Sequence, residues 1–224
     1  MITIIYFWKI RRRDIPFAIL RMAIDRFALN RNSKVTFYKL IGCGRGENFL
    51  PSDADPLRWG LIICLEEDGL VTLDNSPTIS RWRKRSRNEF RAILNPVSSH
   101  GEWSGVRPFD FRNANSAPVS NEVGMAAITR AKIAWRHYPR FLRAIPPVNL
   151  ELQSALGRIA SFGIGEAPIG LQGTFSMWKS AQDLRNFAYR GQAHSDAIAA
   201  TEKFKWYSEE LFARFEVLET RGDL

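Results

Sequence analysis

Moving the sequence along by 123 positions lays its first half over its second. Lys9, Ile10, Arg13 and Pro16 then meet Lys132, Ile133, Arg136 and Pro139, while Ile41 and Gly42 meet Ile164 and Gly165. A shorter loop in the second copy brings Gly60 onto Gly173, and towards the C-terminus Phe90 falls on Phe212. Each coincidence is weak alone. Joined to a common order of elements they imply an internal duplication, which restricts the fold more than any single motif.

Apolar periodicity and turn residues predict that order. The first copy reads as strands at 3–10, 34–41, 59–65 and 91–96. A helix opened by Asp14 and Pro16 follows the first strand, and a helical stretch broken near 75–77, its second piece at 78–90, precedes the last. The second copy reads as strands at 122–132, 158–164, 172–178 and 213–219, with a helix beginning at 139–144 and helices within 181–211. Strand–helix–strand–strand–helix–strand is the ferredoxin-like unit, whose helices cover one sheet face and leave the other needing a partner. Two copies in one chain supply that partner to each other. The expected fold is therefore α+β, with two tandem ferredoxin-like βαββαβ repeats forming a single-chain barrel of the dimeric α+β type. Residues 1–97 and 122–224 would be the repeats. The polar segment 98–121 between them is longer than an ordinary loop and is expected to cover something.

In 172–178 the residues alternate: Gln172, Thr174, Ser176 and Trp178 on one face, Gly173, Phe175 and Met177 on the other. The apolar face is expected to pack on the helices and the polar face to line a cavity between the two sheets. Lys39, Arg130 (or Thr129, depending on register), Gln172, Thr174 and Ser176 are its polar candidates. Gly42, Gly44 and Gly46 suggest a phosphate loop, but they lead to Phe49, Pro51 and Pro56 rather than into a helix, so turn or bulge positions are expected.

Composition narrows the partners. A chain with 45% hydrophobic residues fills a core, and its two cysteines, Cys43 and Cys64, have no metal-ligand or disulfide spacing. The first apolar run precedes its charges and is too short to span a bilayer, so a cytoplasmic protein is expected. The net charge of +9 attracts an acidic partner. The basic run Arg81, Arg83, Lys84, Arg85 and Arg87 has no base-stacking platform beside it, which argues against nucleic acid.

The segments FYKLIGCGRGENF (37–49), LNPVSSHGEWSGVRPF (94–109), AITRAKI (127–133), FGIGEAP (162–168), QGTFSMW (172–178), FAYRGQAH (187–194) and WYSEELFARF (206–215) together resemble the spheroidene monooxygenase family, the acyclic carotenoid ketolases. The resemblance implies a haem-containing monooxygenase that uses O2 and electrons from a reduced ferredoxin-type carrier. Its substrate would be apolar, a carotenoid or other isoprenoid, taken at C2 through hydroxylation to a ketone. Haem b needs an axial donor to iron, and the chain has His100, His137 and His194. The resemblance favours His194 as the metal ligand. Thr201 continues its helical face, and Tyr189, Phe187 and Trp206 are expected to wall the cofactor. His100, expected in a glycine-rich loop, is the reserve, and His137 is accounted for by helix capping. Arg130, Lys39, Gln172 and Ser176 are the expected catalytic groups, as donors to developing negative charge in a water-poor pocket or as holders of a propionate. A lyase or dehydratase on the same barrel, a non-catalytic haem or apolar-ligand binder, and cofactor-free oxygenation stay open. So does peripheral association with a membrane.

Overall fold

The computed structural model describes residues 1–48, 50–109, 124–133, 135–167, 171–190 and 207–224. Its elements are β1 (Ile2–Ile10), α1 (Ile15–Asn30), β2 (Val35–Gly44), β3 (Ala54–Leu65), α2 (Leu70–Asp74), α3 (Pro77–Arg85) and β4 (Ser86–Gly101), then β5 (Met125–Ile133), α4 (Tyr138–Ser154), β6 (Arg158–Gly165), β7 (Leu171–Trp178), α5 (Ala181–Arg190) and β8 (Tyr207–Arg221). All pairings are antiparallel, and the strands close into one barrel in the order β1-β3-β2-β6-β7-β5-β8-β4. The expected α+β barrel is what forms.

Register displays the duplication. Phe7 lies between Gly60 on β3 and Phe90 on β4. At the matching place Arg130 lies between Gly173 on β7 and Leu211 on β8. Gly60 and Gly173 thus correspond as expected, but the counterpart of Phe90 is Leu211 rather than Phe212. A one-residue slip on a strand exchanges its faces: Phe90 and Leu211 point into the barrel, whereas Phe212 is exposed. The halves join at two seams. One holds Gly42↔Gly165 and Cys43↔Ile164; the other runs from Arg91↔Arg221 to Gly101↔Leu211. Gly42 and Gly165 are mates in the repeat, so a pseudo-twofold axis passes between them.

Inside the barrel the strands present one apolar set, including Ile5, Phe7, Ile62, Ile128, Phe162 and Phe175. Phe7 meets Phe162 edge-on at 4.8 Å and Phe175 at 5.1 Å. This interior is packed core, not the inter-sheet cavity expected, because six-membered rings from facing strands reach across the axis. A second cluster lies outside the N-terminal strands under α1 to α3, and a third outside the C-terminal strands with α4 and α5.

Several boundaries differ from expectation. The chain already becomes strand at Ser86, so α3 stops at Arg85, after which Phe90 and Ala92 alternate into the core. Likewise Tyr207 to Leu211 is strand rather than helix, because that stretch pairs with β5. Asp14 and His137 stand at helix starts, yet neither caps with its side chain; Asp14 is buried and accepts from Arg85 Nη1 at 2.8 Å. The glycines behave as expected: a bulge separates Gly42 from Cys43, and Gly46 adopts φ +90°. Among the described residues no helix is long and apolar enough to cross a membrane.

Candidate functional site

Lys39 and Arg130 both point inward and meet through a shared acid at one end of the barrel. Lys39 Nζ pairs with Glu166 Oε2 at 2.7 Å, and Arg130 Nη2 pairs with Glu166 Oε1 at 3.2 Å. Arg130, only 4% exposed, also binds Glu209 on β8. The chain leaving β4 folds over this cluster. Trp103 Nε1 donates to Glu166 Oε1 at 2.7 Å, the amides of Ser104 and Gly105 donate to Glu209 at 3.0 and 2.8 Å, and Lys39 donates to Ser104 Oγ at 2.6 Å. The Arg130 guanidinium lies 5.8 Å from the Trp103 ring, and Phe109 packs edge-on against Phe215 at 4.9 Å. The start of the polar connecting segment therefore straps this end shut; residues 110–123 lie outside the described residues. Burial raises the Glu209 carboxyl, but two backbone amides and the Arg130 guanidinium outweigh it and hold its pKa below the ordinary carboxylate value.

Gln172 and Ser176 lie on the opposite side of the sheet. Phe175 and Met177 join the interior core, whereas Trp178 packs with Leu152, Ala181 and Leu184 outside. The face assignment expected for 172–178 is thus inverted. A closed barrel takes the fully apolar face inside, and the mixed face goes under the helices, where polar partners exist. Gln172 Nε2 donates to Tyr138 OH at 3.3 Å, and Trp178 Nε1 donates to Ser176 Oγ at 3.0 Å. The four expected catalytic residues therefore form two separate pairs, not one constellation.

This outer face differs from its N-terminal counterpart in bulk. On the N-terminal half the cross-strand pairs are Ile4–Ile63, Tyr6–Leu61 and Trp8–Trp59. The equivalent pairs on the C-terminal half are Ala127–Ser176, Thr129–Thr174 and Ala131–Gln172. Leu40 on β2 likewise becomes Gly163 on β6. Gln172 Oε1 is buried there without a hydrogen-bond partner among the described residues. Phe187 on α5 stacks on Trp178 at 5.1 Å, which walls one side. Tyr189 falls on α5 as well. His194, Thr201 and Trp206 lie outside the described residues. His100 is not in a loop but on β4, opposite Phe212, and exposed. Among the described residues no cluster of three His, Cys, Asp or Glu side chains is placed to hold a metal.

The sequence alone did not mark Glu166 or Glu209, marked Trp103 only as one of several aromatics that could wall an apolar channel, and passed over Tyr138. The first three do fall in the segments 162–168, 206–215 and 94–109, whose composition carried the family resemblance. Their meeting point is a long-range property of the barrel. Tyr138 had no signal beyond standing at a helix start.

No family model matches the chain. A spheroidene monooxygenase of Rhodobacter capsulatus is 33% identical over 211 residues, which cover 93% of this chain and 86% of that protein. One from Cereibacter sphaeroides is 30% identical over 205 residues, 90% of this chain and 62% of the relative. Among solved structures, an aldoxime dehydratase superposes with a TM-score of 0.60 at 9% identity, over 96% of this chain and 80% of that one. At that identity the likeness speaks for the barrel alone.

Proposed function

The chain belongs to the spheroidene monooxygenase family, and from that premise we propose a haem-dependent monooxygenase that oxidises an apolar substrate of carotenoid or other isoprenoid type with O2 and electrons from a reduced ferredoxin-type donor. The observation that carries the cofactor is the reduced bulk on the outer face of the C-terminal half. Where the N-terminal half places Tyr6, Trp8, Leu61 and Ile63, the C-terminal half places Thr129, Ala131, Thr174 and Ser176. A flat ring system fits over small side chains where large ones would exclude it. Gln172 Oε1, buried and unmet, is an acceptor and so suits the hydroxyl that oxidation of the substrate would introduce, not a haem propionate.

In this reading His194 would hold the haem iron, and Thr201, Trp206 and Tyr189 would help to bind the cofactor. Haem b held there supplies the iron chemistry that activates O2. Phe187 and Trp178 exclude water from one side. Ser176 Oγ already accepts from Trp178, so its own proton is free to be donated. Gln172 is held by Tyr138, which orients its free oxygen. Lys39 and Arg130, on the far side of the sheet, serve by anchoring the strap at Trp103 to Gly105.

Haemin titrated into the purified chain should give a Soret band that shifts on reduction and with carbon monoxide. His194→Ala should lose it and His100→Ala should keep it. Ala131→Trp, which restores the residue of the N-terminal half, should abolish haem uptake while leaving the circular dichroism unchanged. A protein that stays colourless, or a band that survives His194→Ala, overturns the cofactor assignment. Turnover of a carotene without O2 overturns the reaction.

A further inference from the structure

Helix α1 has two apolar faces. Ala18, Asp25 and Leu29 turn inward, the acid held by Arg21 and by Trp82 Nε1 at 2.8 Å. The opposite face carries Ile19, Leu20, Ile24 and Phe27, which are 60%, 55%, 41% and 67% exposed. They follow helical spacing and make one convex ridge rather than scattered surface residues. Cations surround it. Arg12 and Arg13 precede the helix, Arg26 flanks it and Arg31 ends it, all exposed. Helix α3 packs alongside through Trp82, which meets Phe17 edge-on at 5.4 Å, and presents exposed Arg81 and Lys84, while Arg85 is held by Asp14. Neither helix carries an exposed carboxylate, since Asp25 is buried and α3 has no acid.

We infer that this α1–α3 face docks on an anionic lipid surface, with the ridge entering the boundary between headgroups and acyl chains and the flanking arginines pairing with lipid phosphates. An apolar face framed by Arg and Lys is the pattern of a helix lying in the membrane interface. Each basic side chain near such a surface adds electrostatic attraction. A second copy of the chain is a poorer occupant, because a twofold contact through α1 would set these cations against their own kind. An acidic protein would satisfy the cations, yet it would need a matching apolar groove for the raised ridge. The α4 helix sets the contrast: at the position of Ile24 it has Pro147, and at that of Leu20 it has Arg143. Docking of this face does not depend on the reaction proposed above.

The purified chain should co-sediment with phosphatidylcholine vesicles containing phosphatidylglycerol, bind pure phosphatidylcholine weakly, and be released by added salt. Ile24→Glu combined with Phe27→Glu should lower the partition coefficient at least about tenfold, with circular dichroism unchanged. Leu150→Glu, at the α4 position equivalent to Phe27, should leave partitioning as it was. Absence of vesicle binding overturns the inference, as does binding indifferent to the α1 double variant. It is equally overturned if sedimentation velocity shows a dimer that the double variant dissociates while vesicles bind nothing.

Discussion

The two halves of the barrel share strand order, register and the irregularities after Lys9 and Lys132 and after Val35 and Arg158, yet they are filled differently. The N-terminal half covers its outer face with Ile4, Tyr6, Trp8, Leu61 and Ile63, and Trp8 stacks on Trp82 at 5.0 Å under α3. The C-terminal half puts alanine, threonine and serine at the equivalent places. Inside, Phe7 and Phe162 meet ring to ring, whereas their twofold mates, Arg130 and Lys39, meet through Glu166. A duplicated fold can thus assign one copy to stability and release the other from it. Burial of large side chains supplies most of the folding free energy, so the bulk withdrawn from one half must be matched by ample packing in the other.

The largest effect expected on this contrast comes from the charged end. Arg130→Met leaves Glu166 and Glu209 short of a buried cation and should cost about 3–5 kcal/mol in denaturant unfolding. Lys39→Met, at a partly exposed position, should cost less. If the two variants were equal, burial would not be what distinguishes them.

Next in size is the paired glycines. A Cβ on Gly173 runs deeply into the backbone oxygen of Thr129, whereas one on Gly60 meets the Phe7 ring at 2.8 Å and the backbone oxygen of Tyr6 at 2.9 Å. Gly173→Ala should cost about 1–3 kcal/mol, and more than Gly60→Ala, because its overlap with main chain is the deeper. Thermal midpoints of the two variants check the order.

The smallest is a pH effect confined to one half. The folded-state pKa of Glu209 is depressed, so its grip on Ser104 and Gly105 is complete above the unfolded carboxyl value of about 4.3 and is lost as pH falls through the folded one. Acid titration followed by fluorescence, as a difference against Trp103→Phe, should show the strap loosening at the acid end. Glu209→Gln should remove that limb. The equivalent N-terminal residue is Asn88, which does not titrate.

Much of the architecture was legible because the duplication is written in short, shared features: the glycines at 60 and 173, the paired Ile-Gly at 41–42 and 164–165, and the common order of elements. Lys39 was legible as an inward residue from strand alternation, whereas on β5 alternation left Arg130 and Thr129 as alternatives that register alone decides. Alternation also identified the two faces of 172–178 but not which of them faced inward. That choice depends on whether the barrel axis or the helix layer is drier, and the strand itself does not encode it. Phe90 and Phe212 misled for a related reason, since identical residues on adjacent pleats look like mates until register separates them. Glu166 and Glu209 owe their place to partners far along the chain, which no local pattern reveals.

The two joins between the halves are unequal, and this bears on how the ring can breathe. Along β4 and β8 it is sewn from Arg91 to Gly101, but between β2 and β6 the pairing among the described residues is confined to Gly42 and Cys43. A closed band with one long stitch and one small clasp opens at the clasp. Transient exposure of the aromatic interior should begin there, so the edge left bare in a partly open molecule would belong to β2 or β6, and sticky encounters between chains would start from those strands.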